Sequence, residues 1–169
     1  KNRYEVIENM DNQKMQISIE DFLTYRHGMD CENNNPKSKG NEQAMMQTAD
    51  WVKYTLDLPM VTRPGEFSSY CSGCSIVLGS LVEDVTGMEI EEFAKKSLFE
   101  PMGITNYEWT FEPNPKSINT FNQKYLTPRD MVKLAKMYKD GGQWNERQII
   151  AKSWVDKTFT AQEGDYGYL

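Results

Sequence analysis

The chain has few of the residues on which several classes of function depend. Its 169 residues include one histidine and three cysteines, and its formal net charge is −6. That charge, with scattered lysines, argues against a nucleic-acid partner, because such proteins favour a basic patch. No apolar run approaches the roughly 20 residues of a membrane-spanning helix, and we expect no targeting segment. Neither glycine nor proline is in excess, so we expect one folded domain with a core.

The three cysteines leave their pairing open. Cys31, Cys71 and Cys74 could form one disulfide and leave one thiol, or they could all be free. Cys71 and Cys74 form a C-x2-C pattern, which is typical of a metal or redox site. However, the chain has no second C-x2-C, and its single histidine, His27, lies far from the pair in sequence. We therefore predict no metal and no cofactor. Among the possible pairings we favour a Cys31–Cys71 disulfide. We expect His27, which follows a predicted helix, to be a partner of a helix C-terminus.

Most of the chain carries helical signals. We expect loops over residues 31–40 and 105–121 and a brief extended piece at 148–150. Residues 166–169 are aromatic and β-prone. The predicted fold class is therefore mainly α with a little β at the C-terminal end, and residues 1–165 form one helical domain. Capping residues, apolar spacing and Gly or Pro stops predict helices over residues 19–26, 51–55, 74–86, 89–98, 128–139 and 152–159.

The most informative segment runs from Pro64 to Gly73. Its sequence is PGEFSSYCSG, and a helical pattern follows it up to Gly87. A Pro-Gly turn thus delivers Tyr70 and Ser72, two positions apart, to the start of an amphipathic helix. Such an arrangement can hold a phenol beside a substrate. A tyrosine is also a common core residue, and a serine is a common N-cap, so the motif alone has a purely structural interpretation.

Four blocks in order along the chain resemble the serine β-lactamase-like and penicillin-binding-protein-like hydrolases. That family includes class C β-lactamases, DD-peptidases, esterases and 6-aminohexanoate-oligomer hydrolases. The blocks lie at residues 17–30, 64–87, 99–105 and 126–145. They contain ISIEDFLT with GMD, PGEFSSYCSG, FEPMGIT, and LTPRDM with GGQWN. One such block could arise by chance, whereas four in order are a specific signal.

The resemblance implies a fold and a chemistry. The fold would be the helical domain of the serine β-lactamase/DD-peptidase-like fold, with residues 166–169 beginning a strand of an α/β catalytic domain. Tyr70 would be the catalytic base or proton relay, and Ser72 a substrate-binding hydroxyl. The reaction would be acyl transfer through an acyl-serine on a small-molecule or peptide substrate, in a bacterial protein exported to the periplasm or extracellular space. Ser72 stands where class C enzymes carry Asn, which argues against β-lactam hydrolysis itself.

Other elements that such a site needs are absent from these 169 residues. No lysine follows a serine or threonine at the spacing of Ser-x-x-Lys, and neither Lys-Thr-Gly nor His-x-Gly occurs. In the family these elements lie upstream of the first block and downstream of residues 166–168. We therefore expect an internal fragment that is inactive alone and self-associates through the surface its neighbouring domain would cover. A non-catalytic binding or regulatory module on the same scaffold is the alternative.

Overall fold

The computed structural model describes residues 12–109, 124–161 and 167–168. Most of the regular structure in these ranges is helical, which agrees with the predicted mainly α class. A 3₁₀ turn, Lys14–Gln16, precedes the first α-helix, and a π-helical turn, Lys95–Phe99, continues the fifth. The α-helices are α1 (Ile19–Leu23), α2 (Glu42–Met46), α3 (Trp51–Asp57), α4 (Ser72–Thr86), α5 (Ile90–Ala94), α6 (Pro128–Lys139) and α7 (Lys152–Thr158).

Two short antiparallel pairs of strands accompany the helices. In the first, β1 (Tyr107–Trp109) pairs with β2 (Lys124–Leu126), and Tyr107 lies opposite Leu126. In the second, β3 (Gln143–Trp144) pairs with β4 (Arg147–Gln148). The two residues between β3 and β4 have φ values of 47° and 65°. Such left-handed values at both central positions are typical of a tight hairpin turn.

A first core lies between α1, α3 and the start of α4. Gly73 allows α3 and α4 to approach closely, because a Cβ atom at this position would lie 2.3 Å from Thr55 Oγ1. We call the cluster of buried residues in this region the first core. Its buried residues are Phe22, Tyr25, Met29, Cys31, Met45, Trp51, Val52, Leu58, Cys71, Cys74, Ile76 and Val77.

A second core is built from the residues after α5. Its buried members are Phe99, Met102, Ile104 and Met137, and we call this cluster the second core. The strand pairs and α6 pack against it. Trp109, expected in an irregular loop, lies instead at the end of β1, where the Lys124 ammonium is 4.3 Å from the centre of its ring.

Most predicted helices form, but several ends and one element differ. The helix predicted over 19–26 ends at Leu23, because Tyr25 adopts a left-handed φ of 57°. The sequence patterns do not predict α2, whose first turn is capped by the side chain of Asn41. Residues 110–121 of the predicted loop lie outside the described residues. Of the strand predicted at 166–169, residues 166 and 169 lie outside the described residues as well, and residues 167 and 168 are not in a strand.

Candidate functional site

The segment from Pro64 to Gly73 is held against the loop that follows α1. The Gly65 N–H donates to the Arg26 carbonyl at 2.8 Å, and the Ser69 N–H donates to the Tyr25 carbonyl at 2.9 Å. Gly65 has a φ of +83°, which an L side chain rarely adopts. The predicted turn therefore forms, and backbone bonds fix the chain on both sides of it.

Tyr70 leaves this segment with its ring braced on one side and open on the other. Its ring packs edge-on against Tyr25 with 4.9 Å between the centroids, an arrangement that aromatic pairs favour. Tyr25 is buried, whereas 55% of Tyr70 is exposed. The Asn33 N–H donates to the Tyr70 carbonyl at 3.0 Å. A phenol in this position is accessible to a second molecule or to another domain.

Ser72 is buried and engaged on both sides of its hydroxyl. It donates to Glu42 Oε1 at 3.2 Å and accepts a bond from the Asn33 side-chain amide. Its N–H donates to Asn33 Oδ1 at 2.8 Å. Ser72 is therefore not an N-cap: Cys71 occupies that position, and Asn33 caps the helix from a distant loop.

Sequence reasoning missed Asn33 and Glu42 as neighbours of Ser72. They lie 39 and 30 residues from it along the chain, and both belong to polar stretches with no periodic pattern. No local signal in the sequence connects these residues. Capping patterns in a sequence involve residues that are close together in the chain. The bond between Ser72 and Asn33 is therefore visible only in the folded structure.

A disulfide joins Cys31 to Cys71 directly beneath the tyrosine segment. The two Cα atoms are 5.5 Å apart, a separation that ordinary disulfide geometry accommodates. The Ser69 hydroxyl donates to the Cys31 carbonyl at 2.7 Å, so the loop carrying Cys31 is tied to the segment at a second point. The remaining thiol, Cys74, is fully buried, and this burial raises its pKa well above the usual value.

His27 lies in the same buried region. Its Nδ1 accepts the Met29 N–H at 3.1 Å, and its Nε2 lies 3.2 Å from the Ser69 carbonyl. Together these contacts assign a neutral ring with its hydrogen on Nε2. Burial lowers the pKa of His27, with a smaller opposing effect from the bond to Ser69. The predicted role as a charged partner of a helix end is therefore wrong, because His27 is buried and neutral.

The fold also brings His27 to the cysteines of the C-x2-C pattern. One donor atom each from His27, Cys71 and Cys74 lie within 4.8 Å of one another. The long separation in sequence suggested that His27 would not lie near this pair. That expectation was wrong, because the fold places His27 beside the two cysteines. A cavity of about 100 Å³ borders the cluster, and His27 and Cys31 are among the residues that line it.

These features define a class of protein: a helical scaffold that presents an exposed tyrosine at the start of a disulfide-anchored helix. Over the described residues, no helix is both long and apolar enough to cross a membrane. Residues 6–167 match the Beta-lactamase family, so the chain belongs to that family. The resemblance found in the sequence blocks is thereby confirmed.

Solved structures show the same fold. A provisionally assigned beta-lactamase from Bacteroides dorei DSM 17855 superposes with a TM-score of 0.68 at 19% identity, over 89% of this chain and 45% of that one. The octameric penicillin-binding protein homologue from Pyrococcus abyssi gives a TM-score of 0.67 at 17% identity, over 96% and 44%. A penicillin-binding protein from Bacillus halodurans gives 0.65 at 19% identity, over 94% and 57%. The chain thus spans about half the length of these proteins.

Proposed function

We propose that this chain is the helical domain of a serine hydrolase that transfers acyl groups through an acyl-serine intermediate. Residues 1–165 would form that domain, and residues 166–169 would begin a strand of the α/β catalytic domain. Membership of the Beta-lactamase family and the partial coverage of each solved structure support this division. The observation that carries the proposal is Tyr70, exposed by 55% on a backbone fixed at both ends.

In this proposal Tyr70 accepts or relays the proton of the nucleophilic serine. A phenol normally stays protonated near neutral pH, so it serves as a base only beside a cation. The lysine of a Ser-x-x-Lys element in another part of the protein would supply that cation. Because the Tyr70 ring is braced by Tyr25, its hydroxyl would meet the serine and lysine with little loss of rotational freedom.

Ser72 has a less direct part in the proposed site. Only 4% of it is exposed, and its hydroxyl already donates to Glu42. To contact a substrate it would have to turn away from Glu42. Through its N–H bond to Asn33, Ser72 also fixes the first turn of α4, which positions Tyr70 two residues earlier. We therefore assign Ser72 an auxiliary contact with substrate and no part in proton transfer.

The chain alone should not catalyse acyl transfer, because it contains no Ser-x-x-Lys. We expect hydrolysis of nitrocefin and of p-nitrophenyl esters by the purified chain to equal that of buffer. Turnover by pure material that a serine-directed acylating reagent titrates would contradict the proposal. The control is a member of the family with an intact Ser-x-x-Lys, assayed under identical conditions.

The role of Tyr70 is tested in the longer protein encoded by the complete reading frame. Tyr70→Phe should lower kcat by about 10²- to 10⁴-fold, the usual contribution of a general base, while KM changes little. Tyr125→Phe is the matched control, because Tyr125 is also half exposed but lies in β2 beside the second core. Equal kcat values for the two variants would remove Tyr70 from the mechanism.

A non-catalytic binding or regulatory module is the second candidate. It is favoured by the absence of Ser-x-x-Lys from these residues and by the full engagement of the Ser72 hydroxyl. A reading frame without Ser-x-x-Lys upstream of residue 17 would select this candidate. Export to the periplasm or extracellular space follows from the family resemblance, and a disulfide is compatible with such an oxidising location.

Self-association is the remaining part of the proposal. Val61 and Phe67 are both more than 60% exposed, and they flank the turn that leads to Tyr70. An apolar surface of this kind would normally be covered by the catalytic domain. We expect the isolated chain to gain mass with concentration in sedimentation, whereas a constant monomer mass would contradict this part.

A further inference from the structure

Three side chains that bind soft metal ions meet at the start of α4, and a fourth adjoins them. His27, Cys71 and Cys74 each contribute a donor atom, and these atoms lie within 4.8 Å of one another. The Cys31 sulfur is not one of these three atoms, but it is bonded to the Cys71 sulfur and so adjoins the cluster. His27, Cys71 and Cys74 are fully buried, and Cys31 is only 3% exposed. Three cysteines with one histidine are a known donor set of structural zinc sites.

We propose that the reduced form of this chain binds one Zn²⁺ through Cys31, Cys71, Cys74 and His27. Oxidation to the Cys31–Cys71 disulfide removes the site. Zinc binds cysteine as the thiolate, and the two sulfurs of a disulfide are not thiolates. The bound zinc and the disulfide are thus alternative cross-links between the loop that carries Cys31 and the start of α4. This inference is independent of the proposed hydrolase, which gives none of the four side chains a chemical role.

The chemistry balances with a named reductant. A phosphine supplies two electrons to the disulfide and becomes the phosphine oxide with the oxygen of one water molecule, and the two protons of that water complete the Cys31 and Cys71 thiols. Binding of Zn²⁺ then releases three protons as the three thiols become thiolates, and the imidazole donates a lone pair without losing a proton. A small-molecule disulfide reverses the sequence: it accepts two electrons from the Cys31 and Cys71 thiolates and leaves as two thiols, Cys74 regains its proton, and the ion is released.

The geometry requires a small local movement. Zinc–sulfur bonds of about 2.3 Å in a tetrahedron place neighbouring sulfurs about 3.8 Å apart. The Cys31 and Cys71 sulfurs, now bonded to each other, would therefore separate to that distance on reduction and binding. The donors from His27 and Cys74 need not travel far, since they already lie within 4.8 Å of the Cys71 sulfur.

His27 is held in an orientation suited to a ligand. Its Nε2–H points to the Ser69 carbonyl at 3.2 Å, and metal-binding histidines characteristically donate their second N–H to such an acceptor. Nδ1 keeps its lone pair, which now accepts the Met29 N–H at 3.1 Å. One ring nitrogen of His27 lies within 4.8 Å of the Cys71 and Cys74 sulfurs, and zinc would replace the present hydrogen-bond partner of that nitrogen.

A cavity lies beside the cluster. Its volume is about 100 Å³, and the side chains that line it include His27, Cys31, Asp30 and Glu32. The two acidic residues among them favour a cation over an anion in this cavity. Of the four proposed ligands, His27 and Cys31 border it.

The test compares oxidised and reduced protein with Co²⁺, a coloured substitute for zinc. The chain reduced with a phosphine should take up one Co²⁺ per molecule and show the visible bands of a tetrahedral thiolate site. An excess of Zn²⁺ should bleach these bands, and native mass spectrometry should show one bound zinc. The oxidised chain should show neither signal. A reduced, folded chain that binds no ion, or an oxidised chain that binds equally well, would overturn the proposal.

Single substitutions distinguish binding at a defined four-ligand site from nonspecific binding to the reduced thiols. Cys74→Ala keeps the disulfide pair but removes one donor, and it should weaken Co²⁺ binding by at least about tenfold. Ser80→Ala is the matched control, because Ser80 is equally buried on α4 but lies outside the cluster. His27→Gln is a second test if Cys74→Ala does not fold, and it should alter the spectrum and weaken binding. Full affinity in both donor variants would overturn the assignment.

Discussion

The two cores of this chain are held together by different means. The first core combines loops distant in sequence with a disulfide, a neutral buried histidine and a serine whose partners come from other elements. The second core is formed mainly by aromatic and aliphatic side chains on short hairpins and α6. Every residue considered for chemistry, including Tyr70 and Ser72, lies at the first core. The candidate site therefore lies where the fold depends most on contacts between distant residues.

This difference predicts how each region responds to damage. In the first core, the covalent bond and the close contact of α3 with α4 fasten elements that have weak local preferences. In the second core, local signals such as the Thr127 cap and the tight turn between β3 and β4 act over a few residues. We expect large effects from single changes in the first core and modest ones in the second.

Removal of the disulfide should have the largest effect. Cys31 and Cys71 are 40 residues apart, and a loop of that size corresponds to about 4 kcal/mol of unfolding free energy in the chain-entropy description. We expect Cys31→Ala/Cys71→Ala to lose about that amount in urea titrations. Hydrogen exchange should rise first in the first core and later, if at all, around Met137.

The control for the disulfide is Cys74→Ala, which leaves the bond intact. A loss below about 1 kcal/mol in the double variant would contradict the comparison, because local contacts would then suffice for the first core. An equal increase in hydrogen exchange in both cores would also contradict the contrast between the two cores. It would show that the chain unfolds as one cooperative unit.

A methyl group at Gly73 should have the second largest effect. Its Cβ would lie 2.3 Å from Thr55 Oγ1 and 2.8 Å from Thr55 Cγ2. Thr55 is buried, and its hydroxyl donates to the Trp51 carbonyl at 2.7 Å, so it cannot turn away without losing that bond. Overpacking should outweigh the higher helix propensity of alanine and cost about 1–2 kcal/mol, measured by thermal and urea unfolding.

A double-mutant cycle identifies the cause of the Gly73 effect. Thr55→Ala removes the atoms that the new methyl group would strike, so Gly73→Ala should cost much less in that background. If the cost is the same in both backgrounds, the close approach of α3 and α4 is not its source.

The helices were the most predictable part of the fold. Thr127 with Pro128 predicts the start of α6, and Gly87 predicts the end of α4. The faces of α4 were less predictable. Apolar spacing groups Val85 with the core face and places Glu83 outside, yet Val85 is 85% exposed. Glu83 is buried instead because its carboxylate accepts the Ile90 N–H that opens α5.

The candidate site was predictable only where its residues are neighbours in sequence. Tyr70 and Ser72 come from one short motif, and the roles proposed for them rest on the family resemblance. His27, Asn33 and Glu42 reach this motif through the folding of distant loops, and no periodic pattern marks them. Four blocks in order identify the family because they sample the whole chain. A single buried contact across 30 or more residues leaves no comparable trace.

The smallest expected effect tests the second core through its best-predicted feature. The Thr127 hydroxyl accepts the Asp130 N–H at 3.2 Å and donates to the Asp130 carboxylate at 2.7 Å. Thr127→Ala removes both bonds at the start of α6 and should cost about 1 kcal/mol in urea unfolding, whereas Thr127→Ser should cost much less. A loss near that of the disulfide variant would show that the second core also depends on one fastening, and the contrast between the two regions would fail.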